Sequence, residues 1–201
     1  MKRVTVFDYG AGNLHSLAKA LQGDGREVRL ESSARSAVDT DILVLPGVGA
    51  FAPAAQALAP GRAEMRAAIE EGLPCLGICL GMQLLFESST EGAGEGLGIF
   101  AGSVEKLRAR QLPQIGWNAI DEASDPLFTT SRLEIAYYAN SYVCRPENEG
   151  VVTAWSTHEH DRFAAAVCVG NTVGVQFHPE KSSAPGLRFI QNFLKCLPSR
   201  P

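Results

Sequence analysis

Residues 76–83 read LGICLGMQ, with Cys79 standing between two glycines. The apolar run Pro74–Ile78 predicts a β-strand in front of the cysteine, and Met82–Glu87 predicts a helix behind it. A glycine two residues before and two residues after a reactive side chain, at a strand-to-helix turn, is the pattern of a nucleophile elbow. The helix N-terminus offers N–H groups and a positive dipole, which favour a thiolate. A buried structural cysteine with incidental glycines is the alternative, and the strand-to-helix context favours the nucleophile.

The rest of the first half alternates strand-like and helix-like segments. Further strands are predicted at Val4–Phe7, Glu27–Leu30 and Ile42–Leu45. Further helices are predicted after Asn13, which can cap a helix ending at Leu21, and at Arg62–Glu71. Alternation of this kind predicts a mostly parallel sheet with helices on both faces.

The second half is mostly strand-like, and a helix at Leu187–Leu197 closes it. Strands are predicted at Trp117–Ile120, Leu133–Val143, Val151–Trp155, Phe163–Val169 and Val173–Phe177. Turn residues separate these runs, which indicates an antiparallel extension of the sheet. Because no linker or repeat divides the chain, we expect one α/β domain over residues 1–201.

Composition excludes several classes of protein. The 201 residues carry 18 basic and 22 acidic side chains, a balance of −4 that argues against a strongly basic nucleic-acid binder. No run of 18 apolar residues is present and no secretory signal is recognisable, so we expect no membrane segment. The five cysteines are scattered and odd in number, which favours a reducing, cytoplasmic setting.

A thiol nucleophile needs a base, and His178 is the candidate. It follows the last predicted strand in the run GVQFHPE, at the carboxyl edge of the sheet, where open α/β folds place their active sites. Glu180 stands two residues further on and can orient the imidazole and stabilise its cation. A surface turn with a solvated glutamate is the alternative, and the elbow cysteine outweighs it.

These motifs resemble those of the triad-type glutamine amidotransferases, whose triad is Cys, His and Glu in this chain order. Four further stretches are similar to the glutaminase subunits of imidazole glycerol phosphate synthases: DYGAGNL at 8–14, PGVGAF at 46–51, PQIGWN at 113–118 and HPEKS at 178–182. The resemblance runs from Val4 to the last helix. It implies a flavodoxin-like fold, L-glutamine as substrate, no cofactor or metal, and a separate (β/α)₈ cyclase as partner in a heterodimer that serves histidine biosynthesis.

The resemblance also implies roles for individual residues. Cys79 would attack the glutamine amide, and His178, oriented by Glu180, would move the protons. The implied oxyanion hole is formed by Leu80 and the loop residues Val48 and Gly49. The implied substrate contacts are Gly47, Gln83, Ser141 and Tyr142, and the implied partner contacts are Asn13, Tyr138 and Lys181. Members often carry His where this chain has Asn140, which leaves any side-chain role at that position open.

Other interpretations stay open at this point. The chain could serve a different synthase, such as that of pyridoxal phosphate, or it could be an idle binding subunit or a relative of cysteine peptidases. A dinucleotide fingerprint at Gly10-Ala11-Gly12 is weak because its third glycine is replaced by His15. A metal site at His158 and His160 is less favoured than a solvated hairpin turn. Trp117 and Phe51 are interpreted as packing residues.

Overall fold

The computed structural model describes residues 1–10, 14–23 and 25–196. Its strands are β1 (Lys2–Phe7), β2 (Arg26–Glu31), β3 (Ile42–Leu45), β4 (Cys75–Ile78), β5 (Ser88–Ser89), β6 (Gly102–Lys106), β7 (Gln114–Ala119), β8 (Ile135–Asn140), β9 (Tyr142–Pro146), β10 (Val152–His158), β11 (Asp161–Val169) and β12 (Thr172–Val175). Its α-helices are α1 (His15–Leu21), α2 (Ala34–Ala37), α3 (Phe51–Leu58), α4 (Arg62–Glu70), α5 (Leu80–Leu84), α6 (Pro126–Ser131) and α7 (Ser183–Cys196).

Seven strands of the described residues form the central sheet, in the order β10-β11-β12-β4-β3-β1-β2. The pairs β12–β4, β4–β3, β3–β1 and β1–β2 are parallel, and β11 runs antiparallel to both of its neighbours. The predicted α/β fold, with a mostly parallel sheet, flanking helices and antiparallel strands, is therefore confirmed. The strands β3, β4 and β12 lie side by side, so the loops at their carboxyl ends meet at one edge.

The two faces of the sheet are covered by different helices. Even-numbered residues of β1, β3 and β4, such as Val4, Val44 and Ile78, pack in one core with α1, α6 and α7. Odd-numbered residues, such as Phe7 and Leu43, pack in the other core with α2, α3, α4 and α5. This alternation follows from the period of two along a strand and fixes which residues of each strand face which layer.

Two smaller sheets flank this layered core. The strands β5, β6 and β9 form one of them, and the antiparallel hairpin β7–β8 forms the other. The single strand predicted over Leu133–Val143 is wrong, because the chain divides at Ser141. β8 pairs with β7, whereas β9 pairs with β6, and the Leu107 N–H donates to the Ser141 carbonyl at the junction.

The observed helices also differ from the predicted ones. The helix after Cys79 begins at Leu80 and ends at Leu84, earlier than the predicted Met82–Glu87. The sequence patterns predict none of the helices α2, α3 and α6. No helix among the described residues is both long enough and apolar enough to cross a lipid bilayer.

Candidate active site

Cys79 lies on a sharp turn between β4 and α5. Its backbone has φ 47° and ψ −105°, in the left-handed half of φ space that residues with a side chain rarely adopt. Its N–H donates to the Val175 carbonyl at 2.7 Å, which fixes the turn to β12. A non-glycine residue held in this conformation requires support from its surroundings.

The two glycines around the cysteine provide that support. A Cβ at Gly77 would lie 2.7 Å from the Gly81 carbonyl oxygen, and a Cβ at Gly81 would lie 2.0 Å from the Leu45 carbonyl oxygen. Both contacts are far inside van der Waals range and involve backbone. The elbow therefore forms only if positions 77 and 81 carry no side chain, as the pattern predicts.

His178 and Glu180 lie directly beside the elbow. The His178 Nδ1 atom is 2.8 Å from Glu180 Oε1, and the two side chains are 3% and 6% exposed. The backbone holds the histidine on both sides: its N–H donates to the Tyr137 carbonyl at 2.8 Å, and its carbonyl accepts from the Ser182 hydroxyl at 2.6 Å. The structure thus brings together the three side chains predicted to form a triad.

The protonation of His178 depends on these neighbours. Burial alone would lower the pKa of His178, but hydrogen bonds to Cys79 and Glu180, and the charges of both groups, outweigh it and raise the pKa to about 10. The imidazole is therefore held as a cation beside Cys79 and Glu180. An imidazolium next to a cysteine nucleophile can protonate a leaving amine.

The loop after β3 lies against the triad. A Cβ at Gly47 would lie 2.8 Å from His178 Cε1 and 3.1 Å from Cys79 Cβ, so only glycine fits there. Gly49 has φ 111°, which again favours glycine. The buried Tyr9 hydroxyl donates to the Pro46 carbonyl and anchors the start of the loop.

The opposite side of the reaction centre is formed by α5. Leu80 is its first residue, so the Leu80 N–H lies in the first turn and has no partner within the helix. The predicted oxyanion residues Val48, Gly49 and Leu80 therefore come from the two segments that flank Cys79.

A pocket of about 160 Å³ opens at Cys79. Its lining includes the predicted residues Gly47, Gly49, Leu80, Gln83, Ser141 and Tyr142. Ala139, Asn140 and Glu91 also line it. Sequence reasoning missed Glu91, whose Oε2 accepts from the Phe51 N–H at 3.1 Å, because it stands in a glycine-rich loop with no motif around it. A carboxylate in a small pocket beside a nucleophile is a natural contact for a substrate ammonium group.

Comparison with known proteins agrees with this geometry. The family model for glutamine amidotransferase class-I matches residues 5–196. This chain belongs to that family. It is 41% identical over 207 residues to the imidazole glycerol phosphate synthase subunit HisH of Trichodesmium erythraeum, covering 98% of this chain and 97% of the relative. It is 42% identical over 196 residues to the protein of the same name from Pyrococcus furiosus, covering 96% and 98%.

Solved structures share the fold of this class-I amidotransferase at much lower identity. The structure of PurLQS from Thermotoga maritima superposes with a TM-score of 0.76 at 22% identity, covering 97% of this chain and 99% of that chain. A crystal structure of a glutamine amidotransferase gives a TM-score of 0.73 at 21% identity, covering 96% and 97%. These matches support the architecture of the amidotransferase domain.

The residues predicted to contact a partner differ in their exposure to solvent. Tyr138 is completely buried, with its hydroxyl 2.5 Å from the Ser156 hydroxyl, so the prediction that it meets a partner is wrong. The alternation of β8 turns Tyr138 inward and Tyr137 outward. Lys181 is exposed, and its Nζ lies 6.0 Å from the centre of the Tyr137 ring. Asn13 lies outside the described residues.

The two residues interpreted as packing residues also diverge. Phe51 is fully buried, which confirms the interpretation, whereas Trp117 is 55% exposed, which contradicts it. Trp117 lies on the outer side of β7, opposite Tyr137 in the register of the hairpin. The amidotransferase domain therefore presents a large aromatic side chain to solvent close to its active site.

The region of His158 and His160 is a hairpin turn, as favoured. β10 ends at His158, Glu159 has φ 54°, and β11 begins at Asp161. The Glu159 carboxylate accepts the N–H groups of Arg110 and Gln111 at 3.0 and 2.9 Å. Within the described ranges, no group of three His, Cys, Asp or Glu side chains lies close enough to hold a metal ion.

Proposed function

We propose that this chain is the glutaminase subunit of an imidazole glycerol phosphate synthase. It hydrolyses L-glutamine to glutamate and ammonia and delivers the ammonia to a separate cyclase subunit, with which it forms a heterodimer in histidine biosynthesis. The observation that carries the proposal is the Cys79 elbow against the His178–Glu180 pair, in a chain about 40% identical to proteins named as that subunit.

The first half-reaction forms a thioester. The Cys79 sulfur attacks the side-chain amide carbon of glutamine, and the carbonyl oxygen gains negative charge. The Leu80 N–H and an N–H of the Val48–Gly49 segment stabilise that oxyanion; loss of one such donor typically costs roughly 10²–10³ in rate. The imidazolium of His178 then donates its proton to the leaving nitrogen, the carbon–nitrogen bond breaks, and ammonia leaves.

The second half-reaction releases glutamate. The now neutral His178 takes a proton from water, which attacks the thioester carbon, and the Cys79 thiolate leaves. Glu180 holds the imidazole in place and stabilises its positive charge in both directions. The site returns to the thiolate–imidazolium pair from which it began, so the cycle needs no cofactor.

The pocket matches the polar end of glutamine. The carboxylate of Glu91 faces the α-ammonium group, while Gln83 and the backbone of Ser141 and Tyr142 hold the rest of the amino-acid end. The same pocket places the side-chain amide at Cys79. Charge pairing of this kind within a partly closed pocket gives selectivity for an amino acid over a simple amide.

The outer face of the β7–β8 hairpin is the proposed docking surface for the cyclase. We call it the hairpin face; its residues are Ile115, Trp117, Ala119, Ile135, Tyr137 and Ala139. Ile115 is 67% exposed and Ile135 54% exposed, an unusual apolar surface for a free protein. Ala139 also lines the pocket, so a partner seated here covers the exit from Cys79. Lys181 adds a charge beside Tyr137.

Direct docking follows from the chemistry of the product. Ammonia released into water would be protonated and diluted, so the acceptor site must open onto the pocket.

We further propose that residues 1–201 form one amidotransferase domain and that this domain works in the cytoplasm. The structure has free thiols at Cys75, Cys79, Cys144 and Cys168, which is consistent with a reducing compartment.

The decisive experiment replaces the nucleophile in the assembled synthase. Cys79→Ala should abolish glutamine-dependent synthesis and leave turnover with added ammonium salts unchanged, because the cyclase site is intact. Wild-type chain should hydrolyse glutamine slowly alone and faster with the cyclase and its nucleotide ligand. Stimulation by a pyridoxal phosphate synthase barrel instead, or no adduct on Cys79 with a glutamine-like electrophile, would contradict the proposal.

A further inference from the structure

Gln176 lies between β12 and His178 and takes no part in the proton transfers proposed for the triad. Its side chain is completely buried, and its backbone N–H donates to the Ala165 carbonyl at 2.9 Å. Its amide nitrogen Nε2 lies 3.5 Å from the Cys79 sulfur. This distance is within the range of a hydrogen bond to sulfur, which is longer than one to oxygen.

We infer that Gln176 is a further catalytic residue, whose amide donates a hydrogen bond to the Cys79 sulfur and stabilises it as a thiolate, and that Gln83 holds this amide in the donating orientation. The inference deepens the proposed glutaminase function and rests on it for the identity of the reaction.

The orientation of the Gln176 amide follows from its neighbours. The Gln83 side chain is 3.1 Å from the Tyr142 carbonyl oxygen, which can only accept, so Gln83 must turn its amide nitrogen to that oxygen. The same nitrogen lies 3.4 Å from the Gln176 side chain, which must therefore present its oxygen. The Gln176 nitrogen is then left facing Cys79. The reverse orientation would place two donors together and an amide oxygen against the sulfur.

The thiolate needs such a donor because water has little access to it. Cys79 is 6% exposed, so protein groups replace the hydration that a free thiolate would have. His178 supplies one hydrogen bond, and Gln176 supplies another. The second bond acts on the attacking sulfur at acylation and again when the sulfur leaves as a thiolate at deacylation.

The two amides also connect the pocket to the nucleophile. Gln83 lines the glutamine pocket, and its nitrogen touches Gln176, which touches the sulfur. A ligand that displaces Gln83 would release Gln176 from its orientation. The pair thus makes the reactivity of Cys79 depend on how the pocket is filled.

The test is the rate at which iodoacetamide alkylates Cys79 in the full chain, followed by mass spectrometry of the Cys79 peptide. At a pH low enough that only part of the wild-type Cys79 is ionised, Gln176→Met should slow alkylation about tenfold, because the loss of one hydrogen bond to a charged group raises the pKa of the thiol. Gln176→Glu keeps the shape, so it serves if Gln176→Met does not fold, and it should be slower still because a carboxylate would repel the thiolate. At alkaline pH, where the thiol ionises in every variant, the rates of Gln176→Met and wild type should converge.

Gln191→Met is the matched control. Gln191 is another amide with a structural bond, 2.6 Å from Nε2 to the Ala20 carbonyl oxygen, and it lies on α7. It should lose stability in urea without changing the alkylation rate. Equal rates for Gln176→Met and wild type, or a deficit that is the same at all pH values, would overturn the inference.

The outcomes separate this inference from the proposed function. Slower alkylation in the Gln176 variants, with no glutamine hydrolysis in the presence of any cyclase, would support the role of Gln176 and contradict the proposed function. Unchanged alkylation rates in the Gln176 variants, together with glutamine hydrolysis by the wild-type chain that the cyclase stimulates, would contradict the role of Gln176 and support the proposed function.

Discussion

Replacing Gly81 by alanine tests whether the elbow depends on close backbone contact. Gly81 is the second residue of α5, where alanine would normally be favoured over glycine by up to about 1 kcal/mol. The structure opposes that gain, because the new Cβ would lie 2.0 Å from the Leu45 carbonyl oxygen and 2.5 Å from its carbon. Ordinary contact begins near 3.4 Å, and the obstacle is the backbone of β3, which cannot rotate away.

The contact can be relieved only if α5 moves away from β3 by roughly 1 Å. Forcing extra atoms into a packed interior typically costs about 1–3 kcal/mol, more than the gain in helix propensity. The activity should suffer more than the stability, because the helix carries the Leu80 N–H and follows Cys79 directly. A misplacement of about 1 Å at a reacting centre can cost on the order of 10²-fold in rate.

Gly72→Ala is the control for this prediction. Gly72 has φ 101°, so alanine is strained there as well, but its nearest neighbour would be Asn171 Nδ2 at 3.9 Å, far from the elbow. We expect both variants to lose stability in urea, and only Gly81→Ala to lose most of its cyclase-stimulated glutamine hydrolysis. Activity of Gly81→Ala within twofold of wild type would refute the reasoning, since the elbow would then tolerate a side chain at its closest contact.

Three further predictions follow from the site and its surroundings. Glu180→Gln removes the negative charge beside His178, so the pKa of His178 should fall from about 10. An NMR titration of the imidazole would measure this change. An unchanged titration would mean that the carboxylate does not hold the cation. Trp117→Ala and Lys181→Glu should weaken cyclase binding, Trp117→Ala by about 2 kcal/mol or more if it is a hot spot, measured by calorimetry. Leu30 is 53% exposed at the other edge of the sheet, so Leu30→Ala should not weaken cyclase binding. Equal affinities for these three variants would exclude the hairpin face as the docking surface. Tyr138→Phe breaks the bond to Ser156 and should cost about 1 kcal/mol in urea unfolding without changing cyclase affinity, in contrast to Trp117→Ala.

The central strands and the elbow could be predicted because their signals are local. Apolar runs such as Ile42–Leu45 are short and bounded by turn residues, and the structure has that strand at the predicted bounds. The helix α3 shows the opposite case. Its N-cap residue Ala50 makes no side-chain hydrogen bond, and its first N–H is bound by Glu91, 40 residues further along the chain. A cap supplied from so far away leaves no signature near the helix.

The hairpin β7–β8 shows why the sequence pattern does not decide which of its apolar residues are exposed. Both of its faces carry apolar side chains: Trp117 and Ile135 point outward, while Ala136 and Tyr138 point inward. A period of two divides such residues into two sets but cannot decide which set faces the core. The tertiary structure makes that choice. Trp117, which was expected to pack in the interior, is exposed, and Tyr138, which was expected to meet a partner, is buried.

The geometry also separates the rigid part of the site from the part that a partner can act on. The elbow and the His178–Glu180 pair are fixed by backbone contacts and by a 2.8 Å hydrogen bond within a buried environment. Among the described residues, hydrogen bonds hold the loop after β3 at its two ends, at Pro46 by Tyr9 and at Phe51 by Glu91. Between these anchors lie residues 47–50, two of them glycines, whose peptides can reorient at little steric cost. We therefore expect a cyclase that stimulates glutamine hydrolysis to act by turning a peptide of this segment toward the oxyanion, while the triad stays as it is.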